Sequence, residues 1–295
     1  MTELREPIFD GRHSRTERLI GTEALERIKS AKVAVVGLGG VGSFAAESLA
    51  RAGIERFVLL DSDCVTESNI NRQNIALYST VGKLKTDVLR RRILDINPGA
   101  DITVYPIFYG KDTARDVDFS GCSYIADAID NVTGKLLLVE TAARLDIPLI
   151  SAMGAGNKLD PSRFEIADIY DTSVCPLARV MRRELKKRGV PALTVVYSKE
   201  PPYAATFDTA TATAQTAASA DTAASGESPD IRVLREITGN PPISRTPQKN
   251  TGNPPPRLAS SPGSYRKPVP ASISFVPAAA GLLMASRIIT DIASL

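Results

Sequence analysis

Residues 33 to 74 constrain this chain more than any other stretch. An apolar, β-branched run (Val33 to Val36) enters the glycine-rich turn Gly37-Leu-Gly39-Gly40-Val-Gly42. An alanine-rich helical stretch, Ser43 to Arg51, follows, and a second apolar run, Phe57 to Leu60, ends in Asp61. Strand, glycine turn, helix, strand and terminal acid form a nucleotide-binding recipe. Glycine lets the backbone approach phosphate, and the helix N-terminus offers it free N–H groups and partial positive charge. Asp61 lies about 20 residues past the turn, where an acid can reach ribose hydroxyls.

That fingerprint alone also fits an NAD(P)-dependent oxidoreductase. The residues after it shift the balance. Asp61-Ser-Asp63, then Ser68-Asn69-Ile-Asn71-Arg72-Gln73, then Lys83 and Lys85, gather carboxylates, amides and cations beside the glycine turn. Such a set suits a nucleoside triphosphate, whose phosphates must be charge-neutralised, better than hydride transfer.

Further along, helical periodicity over Val81 to Asn97 is stopped by Pro98-Gly99. Strand patterns recur at 101–108, 123–129, 148–153, 164–169 and 193–197, with helical patterns at 135–145 and 177–188. Alternating strands and helices predict an α/β fold, a Rossmann-like, doubly wound and mostly parallel sheet. Asp130-Asn131 falls at the C-terminal end of a strand, the edge where such sheets bind ligands. Upstream, Thr22 is expected to cap a helix over Thr22 to Lys29, and Arg12, Arg15 and Arg18 form either a solvated face or an arm towards phosphate. Helix 177–188 carries Arg179, Arg182, Arg183, Lys186, Lys187 and Arg188 against Glu184. It is either a solvated face or a docking surface for nucleic-acid phosphates.

From about residue 201 to 268 the character changes. Thirteen of the 20 prolines fall between Pro201 and Pro277, and the intervening TATATAQTAASADTAASG run has little apolar bulk. Such a segment is expected to stay largely disordered, Asp230 to Ile237 excepted. Three segments follow: residues 1–200 as a nucleotide-binding domain, 201–268 as a low-complexity insertion, and 269–295 as a strand (Ile273 to Val276) and helix (Ala278 to Ile292) completing the domain. That last helix is near the length of a membrane span, but Pro277, Arg287, Thr290 and Asp291 favour a helix closing the sheet. No stable membrane insertion is expected.

Composition excludes some chemistry. His13 is the only histidine, so no histidine-rich metal site can form. Cys64, Cys122 and Cys175 are widely spaced and make no C-x-x-C pair, which suits a reducing compartment. A charged N-terminus without an apolar core predicts a cytoplasmic protein. A net charge of +3 does not by itself mark a nucleic-acid binder.

Together these motifs resemble the ubiquitin-activating-enzyme-like superfamily, the ThiF/MoeB/HesA group of adenylating enzymes. The matching residues are Gly37-x-Gly39-Gly40-x-Gly42, Asp61-x-Asp63, Ser68-Asn69-x-Asn71-Arg72-Gln73, Lys83-x-Lys85 and Asp127-Ala-Ile-Asp130-Asn131. More narrowly the chain is similar to the tRNA threonylcarbamoyladenosine dehydratase branch. The features are Arg12-His-x-Arg15-x-x-Arg18-Leu-x-Gly21, Asp171-Thr-Ser-Val-Cys-Pro before a basic helix, and the closing Ser272-Ile-Ser-Phe-Val-Pro-Ala-Ala-Ala-Gly281-Leu. The resemblance implies ATP and Mg²⁺, adenylation of a carboxylate with release of pyrophosphate and AMP, tRNA as partner, and a homodimer with shared sites. It implies catalytic roles for Arg72, Lys85, Asp130 and Arg15, with Asp130 on the metal and Arg15 reaching a neighbouring subunit's nucleotide. Gly37, Gly39, Gly40, Gly42, Asp61, Asp63, Ser68, Asn69, Asn71, Gln73 and Asn131 would bind the nucleotide. Two departures stand out: the paired C-x-x-C zinc motifs of sulfur-carrier activators are missing, and Ala271 replaces an expected glycine. The alternative within the superfamily is adenylation of a ubiquitin-like or sulfur-carrier protein, with a sulfur-relay or carrier protein as partner. Cys175, the tempting nucleophile, reads equally well as a small buried hydrophobe.

Overall fold

The computed structural model describes residues 11–203 and 270–295. The element expected at Asp230 to Ile237, and nearly all of the low-complexity insertion, lie outside the described residues.

Among the described residues seven strands form one sheet: β1 (Lys32–Val36), β2 (Arg56–Leu60), β3 (Asp101–Tyr105), β4 (Tyr124–Asp127), β5 (Leu149–Ala152), β6 (Phe164–Asp168) and β7 (Thr194–Ser198). Their order is β3-β2-β1-β4-β5-β7-β6, and only β6 runs antiparallel to its neighbour. β1 pairs in parallel with β2 from Lys32↔Arg56 to Val36↔Leu60, and with β4 from Val33↔Tyr124 to Val36↔Asp127. β1, β2 and β4 are near-continuous apolar runs because helices cover both faces of the sheet.

One face carries α2 (Thr22–Ser30), α3 (Gly42–Ala52), α4 (Lys85–Ile96) and the final helix α7 (Phe275–Ala293), packed over Val33, Val35, Phe57 and Leu59. The other carries α5 (Val132–Leu145) and α6 (Pro176–Lys187), over Ala34, Val58 and Val195. α1 (Ser14–Ile20) leans on α2. The chain winds outward from β1 to β3, then restarts at β4 on the other side of β1. The crevice between the C-terminal ends of β1 and β4 is therefore the topological switch point.

Three expectations need correction. Ile273 to Val276 is not a strand: it ends an extended strap and opens α7. Pro277 fits this start because it occupies the first helical turn, where a missing N–H costs nothing. Second, the helix expected from Val81 starts at Lys85. Residues 82–84 instead turn back on residues 64–65, with Val65 N–H donating to the Lys83 carbonyl and Gly82 N–H to the Val65 carbonyl, both at 2.8 Å. Third, Thr22 is the first helical residue, Gly21 is the cap, and the Thr22 hydroxyl donates to Glu17 at 2.9 Å.

Among the described residues α7 alone is long and apolar enough to cross a membrane. Its buried stripe of Val276, Pro277, Ala280, Gly281, Met284, Ala285 and Ile288 repeats every four residues and packs on α3 and the sheet. Burial of Met284 and Ile288 contributes about 1.5–3 kcal/mol each.

Candidate functional site

The glycine turn is clamped from three sides at the switch point. Gly37 adopts φ +90°, and a Cβ there would stand 2.6 Å from the Ala128 carbonyl oxygen of the turn after β4. A Cβ on Gly42 would lie 1.8 Å from the Gly37 carbonyl oxygen, so no other residue fits. Gly40 is hemmed by the Arg72 carbonyl and by the Pro277 ring, each 3.2 Å from a hypothetical Cβ. Gly39 is more open, with the Gln73 amide nitrogen 3.8 Å from such a Cβ. The N–H groups of Gly39, Gly40 and Val41 find no acceptor among the described residues. They lead into the N-terminus of α3, an arrangement built to receive phosphate oxygens.

Asp61 braces this turn from below. Its carboxylate accepts the Leu38 N–H at 2.6 Å and the Asp63 N–H at 2.8 Å. Burial pushes its carboxyl pKa up, while Lys85 and the two backbone donors pull it back. The turn formed by residues 82–84 delivers Lys85 to this spot, where Nζ meets Asp63 Oδ2 at 2.7 Å and Asp61 Oδ1 at 3.8 Å. Lys85 is buried, so it is not a solvated helix charge. Asp61 and Arg72 make no ion pair among the described residues; Lys85 is the partner of Asp61 instead.

The loop before α4 presents the polar run. Asn69 is buried and turns its side chain to the loop, accepting the Thr66 N–H at 3.2 Å. Ser68 shares its hydroxyl with Thr66 at 3.1 Å. Both residues shape the loop that presents the next three. Arg72 donates to the Ser68 carbonyl at 2.8 Å and to Asn71 Oδ1 at 3.0 Å. Asn71 in turn donates to the Ser272 carbonyl at 3.0 Å, tying the loop to the strap before α7. Gln73 is buried beside Gly39 with its side-chain oxygen unpartnered among the described residues, the kind of exception that marks a ligand-facing position. The strap itself is pinned by Asn157: Ala271 N–H donates to Asn157 Oδ1 and Asn157 N–H to the Ala271 carbonyl, both at 2.7 Å. Ala271 makes these bonds through its backbone, so the loss of the expected glycine leaves them intact.

Across the crevice, Asp130 is exposed beyond β4, and Asn131 caps α5 by accepting the Gly134 N–H at 2.6 Å. No cluster of three His, Cys, Asp or Glu side chains able to hold a metal exists among the described residues. A lone carboxylate beside a phosphate cradle does fit Mg²⁺, which keeps most of its waters and binds through one or two carboxylates plus substrate phosphates. Sequence reasoning missed Lys135, fully buried under this edge and paired with Asp127. A cation in a helical pattern reads as solvated, and only its place in the first turn of α5 could have signalled otherwise.

Arg15 is not brought to the cradle of its own chain. It is exposed on α1, next to His13 and Arg12, and Arg12 contacts Glu55 and Asn97 just before β2 and β3. That is the opposite end of the sheet. A depression of about 580 Å³ lined by Arg27, Ser30, Tyr124 and Asp291 also lies at that opposite end, remote from the cradle. Cys175 is buried in the core between α5 and α6. On α6, Arg179, Arg183, Lys186 and Lys187 are exposed, as is Arg188 at its C-cap. Arg182 is half-buried and donates to the Thr172 carbonyl at 2.8 Å.

These features match known proteins along most of the chain. The ThiF family model matches residues 12–294. A tRNA threonylcarbamoyladenosine dehydratase from Bacillus subtilis is 38% identical over 280 residues, 95% of this chain and 93% of the relative. The Escherichia coli protein of the same name is 43% identical over 171 residues, 58% of this chain and 64% of the relative. The crystal structure of E. coli tRNA N6-threonylcarbamoyladenosine dehydratase in complex with ATP aligns with a TM-score of 0.72 at 28% identity, covering 98% of this chain and 96% of that one. A glycine cradle at the switch point, a carboxylate–lysine floor and a family match from end to end of the described fold place the chain in the ThiF family.

Proposed function

We propose that this chain is an ATP-dependent adenylating enzyme that dehydrates threonylcarbamoyladenosine in tRNA to a cyclic form. The observation that carries this reading is the B. subtilis dehydratase match over 95% of the chain, with the phosphate-ready turn at its centre. A carboxylate is a poor electrophile. Its oxygen attacks the α-phosphorus of ATP, the bond to the β-phosphate oxygen breaks, and pyrophosphate leaves. The neighbouring carbamoyl group then attacks the acyl carbon, closes the ring and expels AMP, which carries away the former carboxylate oxygen. Proximity drives this second step without a protein nucleophile, in keeping with the burial of Cys175.

In this scheme the N–H groups of Gly39, Gly40 and Val41 hold phosphate, and Arg72 and Lys85 offset charge building at the α-phosphate. Asn71 and Gln73 supply amide contacts. Asp63, which is largely exposed, releases Lys85 when phosphate competes for it, while Asp61 keeps the floor and faces the ribose. Asp130 would hold Mg²⁺, which neutralises the phosphate tail. Arg15 acts in a second copy's site, since its place on α1 keeps it from its own. The exposed cations of α6 take tRNA phosphates, and the cytoplasm is where that substrate is met.

The test is nucleotide turnover by purified protein with AMP and ADP resolved. AMP that forms only with tRNA carrying threonylcarbamoyladenosine supports the reading. AMP that forms only with a ubiquitin-like or sulfur-carrier protein replaces it with carrier activation, and NADH binding without AMP formation would revive an oxidoreductase.

A further inference from the structure

A closed polar triangle lies beneath the ligand edge. Asp127 ends β4, Ser151 is on β5, and Lys135 is in the first turn of α5; all three are fully buried. Asp127 Oδ2 accepts from Lys135 Nζ at 3.1 Å and from the Ser151 hydroxyl at 2.6 Å. Ser151 Oγ in turn accepts from Lys135 Nζ at 3.1 Å. The other Asp127 oxygen accepts the Ile129 N–H at 3.1 Å, inside the turn that leads to Asp130 and Asn131.

Neither stability nor helix formation accounts for this arrangement. A buried ion pair is commonly no more stabilising than well-packed apolar residues of the same volume. A cation in the first turn of a helix also opposes the macrodipole. What the triangle does achieve is geometric. It fixes the 128–131 turn to β4, β5 and α5 at once, and the same turn presses its Ala128 carbonyl against Gly37. One carboxylate thus fixes both the phosphate turn and the segment carrying Asp130.

We infer that Asp127, Lys135 and Ser151 are positioning residues that hold Asp130 and the glycine turn in the geometry needed to receive metal-bound ATP. The inference rests on the adenylating reading for its activity arm, but its binding arm stands apart from it.

The experiment compares wild type, Ser151→Ala, and the charge-free pair Asp127→Asn with Lys135→Met. ATP binding is titrated at a series of Mg²⁺ concentrations, thermal unfolding is followed in the absence of nucleotide, and AMP formation is measured with modified tRNA. Losing support behind a metal-site carboxylate typically costs about 10–100-fold in metal affinity or activity. Ser151→Ala should therefore stay folded without nucleotide, with its unfolding temperature lowered by the loss of one buried charge-assisted hydrogen bond, yet need roughly tenfold more Mg²⁺ for half-maximal ATP binding. The charge-free pair should show a larger shift of the same sign, and kcat for AMP should fall in both. Folded Ser151→Ala protein with the wild-type Mg²⁺ midpoint overturns the inference. Loss of ATP affinity equal at all Mg²⁺ concentrations also overturns it, because that is the mark of general loosening. Should the charge-free pair fail to fold, Ser151→Ala alone decides. Wild type that binds Mg²⁺ and ATP but forms no AMP would refute the proposed function and leave the binding comparison to judge the positioning role.

Discussion

Replacing Lys85 with methionine separates electrostatics from packing at the floor of the cradle. The side chains have similar volume, so the change mainly removes a charge. The Lys85 side chain is 7% exposed, Asp61 10% and Asp63 65%. Stripping the partner from a fully buried ion pair costs about 3–5 kcal/mol, while a pair with an exposed acid contributes about 0–1 kcal/mol. Asp61 retains its Leu38 and Asp63 N–H donors, and its contact with Nζ is the long one, at 3.8 Å. The expected loss is therefore about 2–3 kcal/mol, below the full buried-pair figure. For a domain of this size that is a fall in Tm of roughly 5–10 °C. The pH dependence supplies the stringent check. Burial already holds the Asp61 carboxyl above its ordinary value against the pull of Lys85, and removing Lys85 raises it further. A native state that binds a proton more tightly than the unfolded chain gains stability as pH falls through the folded pKa. The deficit of Lys85→Met should then be largest near neutral pH and shrink as the pH falls through the raised folded pKa, as read by thermal unfolding of both proteins at each pH. A deficit that is constant across that range, or absent, would refute the assignment of Lys85 as counter-charge to Asp61. AMP formation should fall by about 10²–10³-fold.

Other perturbations have defined outcomes. Gly42→Ala, which in an ordinary helix would stabilise by roughly 0.5–1 kcal/mol, should instead lower Tm and abolish ATP binding in a titration, because its Cβ would meet the Gly37 carbonyl oxygen. His13 is buried, and burial, followed by the charges of Arg12 and Lys29, lowers its pKa against the opposing pull of Glu55. Its stabilising contribution should be complete above the unfolded value of about 6.5 and lost as pH falls to the folded value, so His13→Gln should flatten that part of a Tm–pH profile. Reversing Arg179, Arg183 and Lys186 to glutamate should weaken tRNA binding and reduce its salt slope by about one unit for each phosphate no longer neutralised, without touching ATP affinity. Arg182 is left out of that set because it holds Thr172.

Much of the fold was legible because parallel strands covered on both faces have to be apolar runs, and Val33 to Val36, Phe57 to Leu60 and Leu193 to Tyr197 are such runs. The glycine spacing, Asp130 at a strand end and the Asn71-Arg72-Gln73 cluster all map to one crevice, since the motif places them on neighbouring loops. What sequence could not convey was partnership at a distance. The pairing of residues 82–84 with 64–65 depends on backbone hydrogen bonds and set the start of α4. Ile273 to Val276 has the residue types of a strand, yet it pairs with no strand among the described residues, and Phe275 and Val276 already belong to the helix that Pro277 helps to open. Lys135 looked like a surface charge because burial of a cation is decided by Asp127 and Ser151 on other elements.

The cradle also has an order of assembly. Asn71 reaches across 201 residues of sequence to the Ser272 carbonyl, and Pro277 closes over Gly40. During synthesis the glycine turn, Asp61 and Lys85 emerge well before the wall that completes their site, which follows about 200 residues later. Nucleotide affinity should therefore arrive late and abruptly, when the strap and α7 settle on α3. A chain arrested before residue 270 would have the fingerprint without the grip.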